Sequence, residues 1–489
     1  MTTTTPPPLP VSTAPDRRSL LALVAGGVGI DVLGFHHPVG PGLAIGMLGI
    51  VGYLWWLGRS LRTFRWLVPA AMLLSVAVAW RASEVVVSVA ILGFIAVVAI
   101  ALRLLVADDL AAWTLTDYAV GALQGVGGSI AAGSSEVRET EGIVPRQAGL
   151  RRVLAGLALA IPVLVVFGAL FASADAVFES RLATLFDWDV DFPRIVARVI
   201  VVGVLVVFGA GARRVWRAKT EPWIVPAAPW RVHPTQAATL LASVVGLFLT
   251  FVAVQLPYLF GGSDQIERSG VSVAEYARRG FFELVAVAAL VVGLVLVIDW
   301  AVHRGGWSRS RLVDGLGMVL VGLTFVVLAS AVQRMTAYTS LFGLTELRFY
   351  TSVFMVWVGI VLGLVVLAAL RGHRDRLALG MFVSGLAILL ALVTINPDGR
   401  IAQVNLARHI EDGTELDIEY VVWLGPDAVP VLISELDSVE DRCALVSELA
   451  TFETDLARRL DRDDWRSTSI SEYRASSRLD QTDLAGGCR

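Results

Sequence analysis

Charge is the first thing this sequence is short of. Only 17% of its residues are charged, against roughly 25% in a soluble globular chain. The 40 basic and 43 acidic residues nearly cancel, leaving a net charge of −3, so the totals carry no footprint of a nucleic-acid partner. Lysine is almost missing: Lys219 is the only one, an arginine bias we read as GC-rich codon usage rather than guanidinium chemistry. Cysteine is scarce as well. Cys443 and Cys488 are the only two, which excludes a Cys-rich zinc or disulfide framework and leaves a single bridge open. The six histidines are scattered, and the one adjacent pair, His36-His37, points its side chains apart, so no metal site is expected.

The usual catalytic signatures are missing too. There is no His-Glu-x-x-His, no Gly-x-Ser-x-Gly elbow and no dinucleotide fingerprint. Gly125, Gly127, Gly128 and Gly133 enrich one loop, but no Gly-Lys-Ser/Thr closes it as a phosphate cradle. The sequence therefore points to no catalytic residues, no cofactor and no metal.

What is present is long apolar runs. Hydrophobic residues make up 56% of the chain, and they come in blocks near the ~18–20 residues that cross a hydrocarbon core. Eleven such blocks are predicted, at 19–35, 41–57, 66–80, 84–105, 153–171, 195–211, 237–259, 281–297, 312–332, 351–370 and 377–395. Backbone amides cannot reach water in lipid, so each span must be helical. The expected fold is all-α: a polytopic transmembrane helix bundle of about 11 spans with a small soluble α-helical C-terminal domain. The expected organisation is a disordered leader over 1–18, transmembrane helices 1–4 over 19–106 and a flexible cytoplasmic loop over 107–150. Transmembrane helices 5–11 follow over 151–396, then a soluble helical tail over 397–489. Gly42–Gly46 and Gly359–Gly363 have the small-xxx-small spacing that lets helices approach closely.

Loop charge sets orientation. With a cytoplasmic N-terminus and strict alternation, inner segments hold 21 basic residues and outer segments 9, the tail left aside. This reading makes the lipid bilayer the chief partner and the protein a multi-pass component of a bacterial cytoplasmic membrane. It places the tail outside the cell membrane, where an envelope protein could meet it and where a Cys443–Cys488 disulfide is redox-permitted. Apolar positions such as Ile401, Val404 and Ile410, or Val429, Leu432 and Leu436, repeat at helical spacing in that tail.

Polar residues gather at the same predicted outer face. Glu275, Arg279 and Glu283 follow one another at i,i+4 steps before the eighth span. Arg334 and Tyr338 end the ninth, Glu346, Arg348 and Tyr350 open the tenth, and Gln255 and Tyr258 close the seventh. Ionisable groups near lipid face a bundle interior or water and pair with one another, so this set is the candidate binding cluster. An interfacial salt-bridge network with tyrosines as headgroup anchors explains the same pattern.

Several stretches carry a resemblance. They are Phe251 to Gly262 with Ala274 to Leu284, and Arg334 through Tyr338 to Gly343 and on to Tyr350. In the tail they are Asn396-Pro397-Asp398, Asn405, Leu416 to Tyr420, Pro426 to Pro430 and Asp464 to Ser467. Together, from about Arg152 onward, they resemble the bacterial family called domain of unknown function 4173, close to its relative 4153. The resemblance implies a polytopic inner-membrane protein and supplies no catalytic residues. The expected role is a non-enzymatic transporter or a ligand- or partner-sensing scaffold. Two alternatives stay open: a membrane-embedded enzyme acting on a lipid-linked substrate through Glu283 or Glu346, and an envelope anchor for a protein-binding tail.

Overall fold

The computed structural model describes residues 17–35, 38–58, 64–104, 192–218, 233–260, 281–304, 310–372, 376–462, 464–482 and 484. Every element among them is helical. The expected fifth span, the 107–150 loop and the leader up to residue 16 lie outside the described residues.

Helix α1 (Arg17–Ile30) runs into a π-helical turn, Asp31–Phe35, and is followed by α2 (Pro41–Gly58), α3 (Phe64–Trp80) and α4 (Glu84–Leu104). Next come α5 (Phe192–Ala218), α6 (Pro234–Phe260), α7 (Phe281–Arg304), α8 (Arg311–Phe342), α9 (Glu346–Arg371) and α10 (Leu377–Ile395). Ten of the eleven predicted spans thus fall on these helices. Six helical segments are long and apolar enough to cross a membrane, those in α2, α4, α6, α8, α9 and α10; those in α1, α3 and α5 are apolar but shorter.

The apolar residues form two cores. One joins α2, α3 and α4 with Ala212 of α5 and Leu386 and Val393 of α10. The other joins α6, α7, α8 and α9. Helix α10 packs on α9 as well as on α3 and α4, and so ties the two together. Large side chains also point outward from these helices: Leu92, Leu247, Leu290, Leu312 and Val356 are each at least 60% exposed. Such an apolar exterior is costly in water and fits hydrocarbon.

The two glycine pairs separate. A Cβ on Gly42 would lie 1.8 Å from the Leu33 carbonyl oxygen and one on Gly46 3.1 Å from Ile30, so the first pair is a contact seam between α2 and the end of α1. In the second pair a Cβ on Gly359 would meet Leu328 of α8 at 3.5 Å, ordinary contact, and at Gly363 nothing lies within 4 Å. The π-turn carries the buried Asp31, whose carboxylate meets Arg198 of α5 at 3.7 Å.

Helix α8 has 32 residues, ten more at its C-terminal end than the predicted span. At 1.5 Å per residue it is about 48 Å long, well beyond a ~30 Å hydrocarbon core. In its last turns Met335 and Tyr338 still pack on the second core, and the Ser340 carbonyl meets the C-terminal residues.

Those residues build a compact helical unit: α11 (Pro397–Asp412), α12 (Ile418–Trp423), α13 (Val429–Ser434), a 3-10 turn Leu436–Ser438, α14 (Arg442–Arg462) and α15 (Ile470–Asp480). Ile401, Leu406, Val429, Leu432, Leu445 and Leu449 are among its fully covered core residues. Ser469 and Glu472 close a capping box at the start of α15. Cys443 is disulfide-bonded; Cys488, the only other cysteine in the sequence, lies outside the described residues.

Candidate functional site at the joint between bundle and C-terminal unit

The C-terminal unit is seated on three hairpin ends of the bundle. At the α1–α2 turn, the Gly42 amide donates to the Arg466 carbonyl at 2.9 Å, and the Arg466 guanidinium donates to the Val32 carbonyl at 2.8 Å. At the α8–α9 turn, Asn405 forms a two-way amide pair with Leu344, both bonds 2.8 Å. Beside it the Glu346 amide donates to the Tyr420 hydroxyl at 2.9 Å, and Arg408 donates to the Ser340 carbonyl. Gly343 makes this approach possible. Its φ is +77°, and a Cβ there would lie 2.7 Å from Asn405 Oδ1.

The α3–α4 turn, residues 81–83, holds the strongest contact. Asp427 is 2% exposed, and its carboxylate accepts four hydrogen bonds. Arg81 Nη1 donates at 3.1 Å, the Ala82 and Ser83 amides at 2.8 and 3.2 Å, and Ser471 Oγ at 2.5 Å. Arg81 also donates to the carbonyls of Val393 and Thr394 at the end of α10. The guanidinium of Arg474 lies 4.4 Å from the Trp80 ring centroid, at the end of α3. One buried ion pair thus joins the α3–α4 turn, the last span and two segments of the C-terminal unit.

The chain passes from α10 to α11 through a single residue. Asn396 has φ +58°, accepts from the Gly399 amide and donates to the Asp427 carbonyl at 2.9 Å. Pro397 then opens α11 at the position where a missing amide costs nothing. This turn places Asp398, 1% exposed, against the bundle. Its carboxyl faces Ser83 from the 81–83 turn and Glu346 and Tyr350 from the start of α9. Burial pushes the Asp398 carboxyl up to about 7, helped by the nearby Asp427 and Glu346 and opposed by Ser83 and Arg81. Burial likewise raises the Tyr420 hydroxyl. Asp398 Oδ1, Ser83 Oγ and the Tyr350 hydroxyl are all closed off from solvent, yet none forms a hydrogen bond of normal length and angle.

The residues picked out from sequence fall into three groups. Glu346 and Tyr350 stand in this joint. Arg348 and Tyr338 form a separate staple: the guanidinium lies 4.0 Å from the Tyr338 ring centroid and donates to the Phe342 and Gly343 carbonyls. Arg334 sits one turn earlier on α8, half-buried, and Glu283 is exposed near the start of α7. Gln255 and Tyr258 lie in the last turns of α6, their side chains outside what is described; Glu275 and Arg279 lie outside the described residues altogether. Sequence reasoning did not assemble Arg81, Ser83, Asp398 and Asp427. Asn396-Pro397-Asp398 carries a helix-start signature, Asn at the cap followed by Pro and an acid, but nothing in it announces burial.

Among the described residues no group of three or more His, Cys, Asp or Glu side chains could hold a metal ion. Chemically, the joint offers a buried carboxylate already saturated with donors and a second one whose Oδ1 makes no hydrogen bond of normal length and angle.

No curated protein and no solved structure matches the chain. The family match covers residues 68–435, from α3 to just past α13. It begins earlier than the resemblance seen in the sequence and stops short of the Asp464–Ser467 stretch. It takes in Arg81, Ser83, Glu346, Tyr350, Asp398 and Asp427, and leaves out Arg466 and Ser471. The match is to the second of the two families that the sequence resembled, not to 4173. The chain belongs to the family described as Domain of unknown function (DUF4153).

Proposed function

We propose that this is a multi-pass protein of a bacterial cytoplasmic membrane that works without catalysis, as a sensing scaffold for an envelope ligand or protein partner. The single observation behind this reading is the Asp427 joint, which closes a helical unit with its own core onto the end of the bundle. A unit seated through a buried ion pair and carrying exposed Trp423 and Tyr473 is suited to bind outside and report through the spans. The transporter reading has less support, since the same end of the bundle is covered at three hairpins.

The unit sits on the outer side in this reading. Counting the eleven predicted spans alternately from a cytoplasmic N-terminus, the expected fifth at 153–171 included, the α1–α2, α3–α4 and α8–α9 turns all face outward, in agreement with the arginine bias of the opposite loops. The disulfide at Cys443 suits an oxidising compartment. Two experiments test the reading. An alkaline phosphatase fused after Arg489 should be active, and activity only of a cytoplasmic reporter there would reverse the sidedness. Truncation after Asn396, with membrane insertion verified, should abolish complementation of a deletion strain; full complementation would eliminate the scaffold role.

A further inference from the structure

Four carboxyl groups gather at the joint: Asp398, Asp427, Glu346 and Glu84. Arg81 is the basic side chain that reaches the buried acids, and it is engaged by Asp427 and by two carbonyls of α10. Its ion pair is with Asp427; on Asp398 it acts only as a neighbouring charge that favours the anion. Around Asp398 stand Glu346 and Tyr350 from α9, Ser83 from the 81–83 turn and Asp427 from the segment before α13. Tyr420 of α12 and Glu84 at the start of α4 lie on Glu346. An anionic carboxylate sealed from water is strongly unfavourable unless a positive charge meets it. Three oxygens lie close together here, Ser83 acting on both the Asp398 carboxyl and the Tyr350 hydroxyl, and none of them makes a hydrogen bond of normal length and angle; they mark the place where such a charge would sit: Asp398 Oδ1, Ser83 Oγ and the Tyr350 hydroxyl.

We infer that Asp398, Ser83 and Tyr350 form a binding site for one small monovalent cation of the sodium class, located where the C-terminal unit meets the bundle. The chemistry favours a hard, singly charged ion. All donors are oxygens, one is a carboxylate and two are neutral hydroxyls, and the sulfur and imidazole ligands that select transition metals are not among them. The ion bridges α11, the 81–83 turn and α9, so its binding tightens the joint. This requires only the joint itself and holds whether or not the protein acts as a scaffold.

Thermal unfolding of the full-length protein in detergent tests the site. Sodium chloride, potassium chloride and N-methyl-D-glucamine chloride are compared at equal ionic strength, at pH 8 and at pH 5. Sodium should raise Tm at pH 8 by about 1–2 °C at ten times its half-saturating concentration. The shift should shrink at pH 5, where protons compete for Asp398, and vanish in Asp398→Asn. Tyr350→Phe and Ser83→Ala should each weaken it, and they carry the test if Asp398→Asn does not fold. Equal Tm in all three salts at pH 8 overturns the proposal. So does a fall in Tm from pH 5 to pH 8 that is the same in every salt, which would assign the site to a proton alone. A sodium shift that survives all three substitutions places the ion elsewhere and overturns it as well.

Discussion

Replacing Asp427 by alanine should open the joint without unfolding either part. The carboxylate accepts one charged and three neutral donors. Bonds to a charged group are worth about 1.5–3 kcal/mol each, but the four cannot simply be added, because the freed donors recover water once the joint opens. Truncating one partner of a buried pair gives the better measure, about 3–5 kcal/mol. At about 1.4 kcal/mol per tenfold, the opening equilibrium should shift by a factor of roughly 100 to 4,000. Hydrogen exchange of the full-length protein in detergent reads this directly. The Ala82 and Ser83 amides point at Asp427, so a peptide covering them should exchange faster by that factor. Amides around Leu445 and Leu449, inside the core of the C-terminal unit, should keep their protection. Exchange at Ala82 and Ser83 within threefold of wild type would refute the reasoning. So would equal acceleration in both regions, because the joint would then be inseparable from global folding.

Other perturbations follow from the same geometry. Without sodium, the joint should weaken as pH rises. The folded Asp398 carboxyl is raised to about 7 from an ordinary value of 3.8, so the folded state holds a proton that the unfolded chain has lost. Its contribution is complete below about pH 4 and gone above about pH 7, and Asp398→Asn should flatten Tm against pH across that window. Gly42→Ala forces a methyl into the Leu33 carbonyl oxygen and should cost several kcal/mol or block folding, whereas Gly363→Ala should leave Tm within about 1 °C; equal effects would discount the seam. Asn405→Ala removes both bonds to Leu344 and should cost about 1–3 kcal/mol in thermal or chemical unfolding.

Much of the bundle was legible because lipid leaves the backbone few options. The predicted boundaries at Pro41, Glu84, Leu377 and Ile395 coincide with helix ends. The length of α8 was legible only in part: Arg334 and Tyr338 read as the end of the ninth span, but the helix runs on to Phe342, with Met335 and Tyr338 packed on the second core and Arg408 of α11 reaching the Ser340 carbonyl. The site was legible in half-measure. Glu346 and Tyr350 stood out as polar residues at a span end, where charge is conspicuous. Asp398 and Asp427 did not, because an acid in a polar tail looks solvated. Their burial depends on the approach of the 81–83 turn, more than 300 residues away in sequence, and no local pattern encodes that.

The passage from the last span into the C-terminal unit uses no linker. Asn396 alone separates the two helices, and its side chain is held at both ends. A hinge of several residues would absorb movement; a single left-handed residue pinned in place transmits it. Helix α10 packs on α3, α4 and α9, so a tilt of the unit bears on helices of both halves of the bundle. Lengthening this corner by two or three flexible residues would leave every helix intact and still disconnect the two sides mechanically.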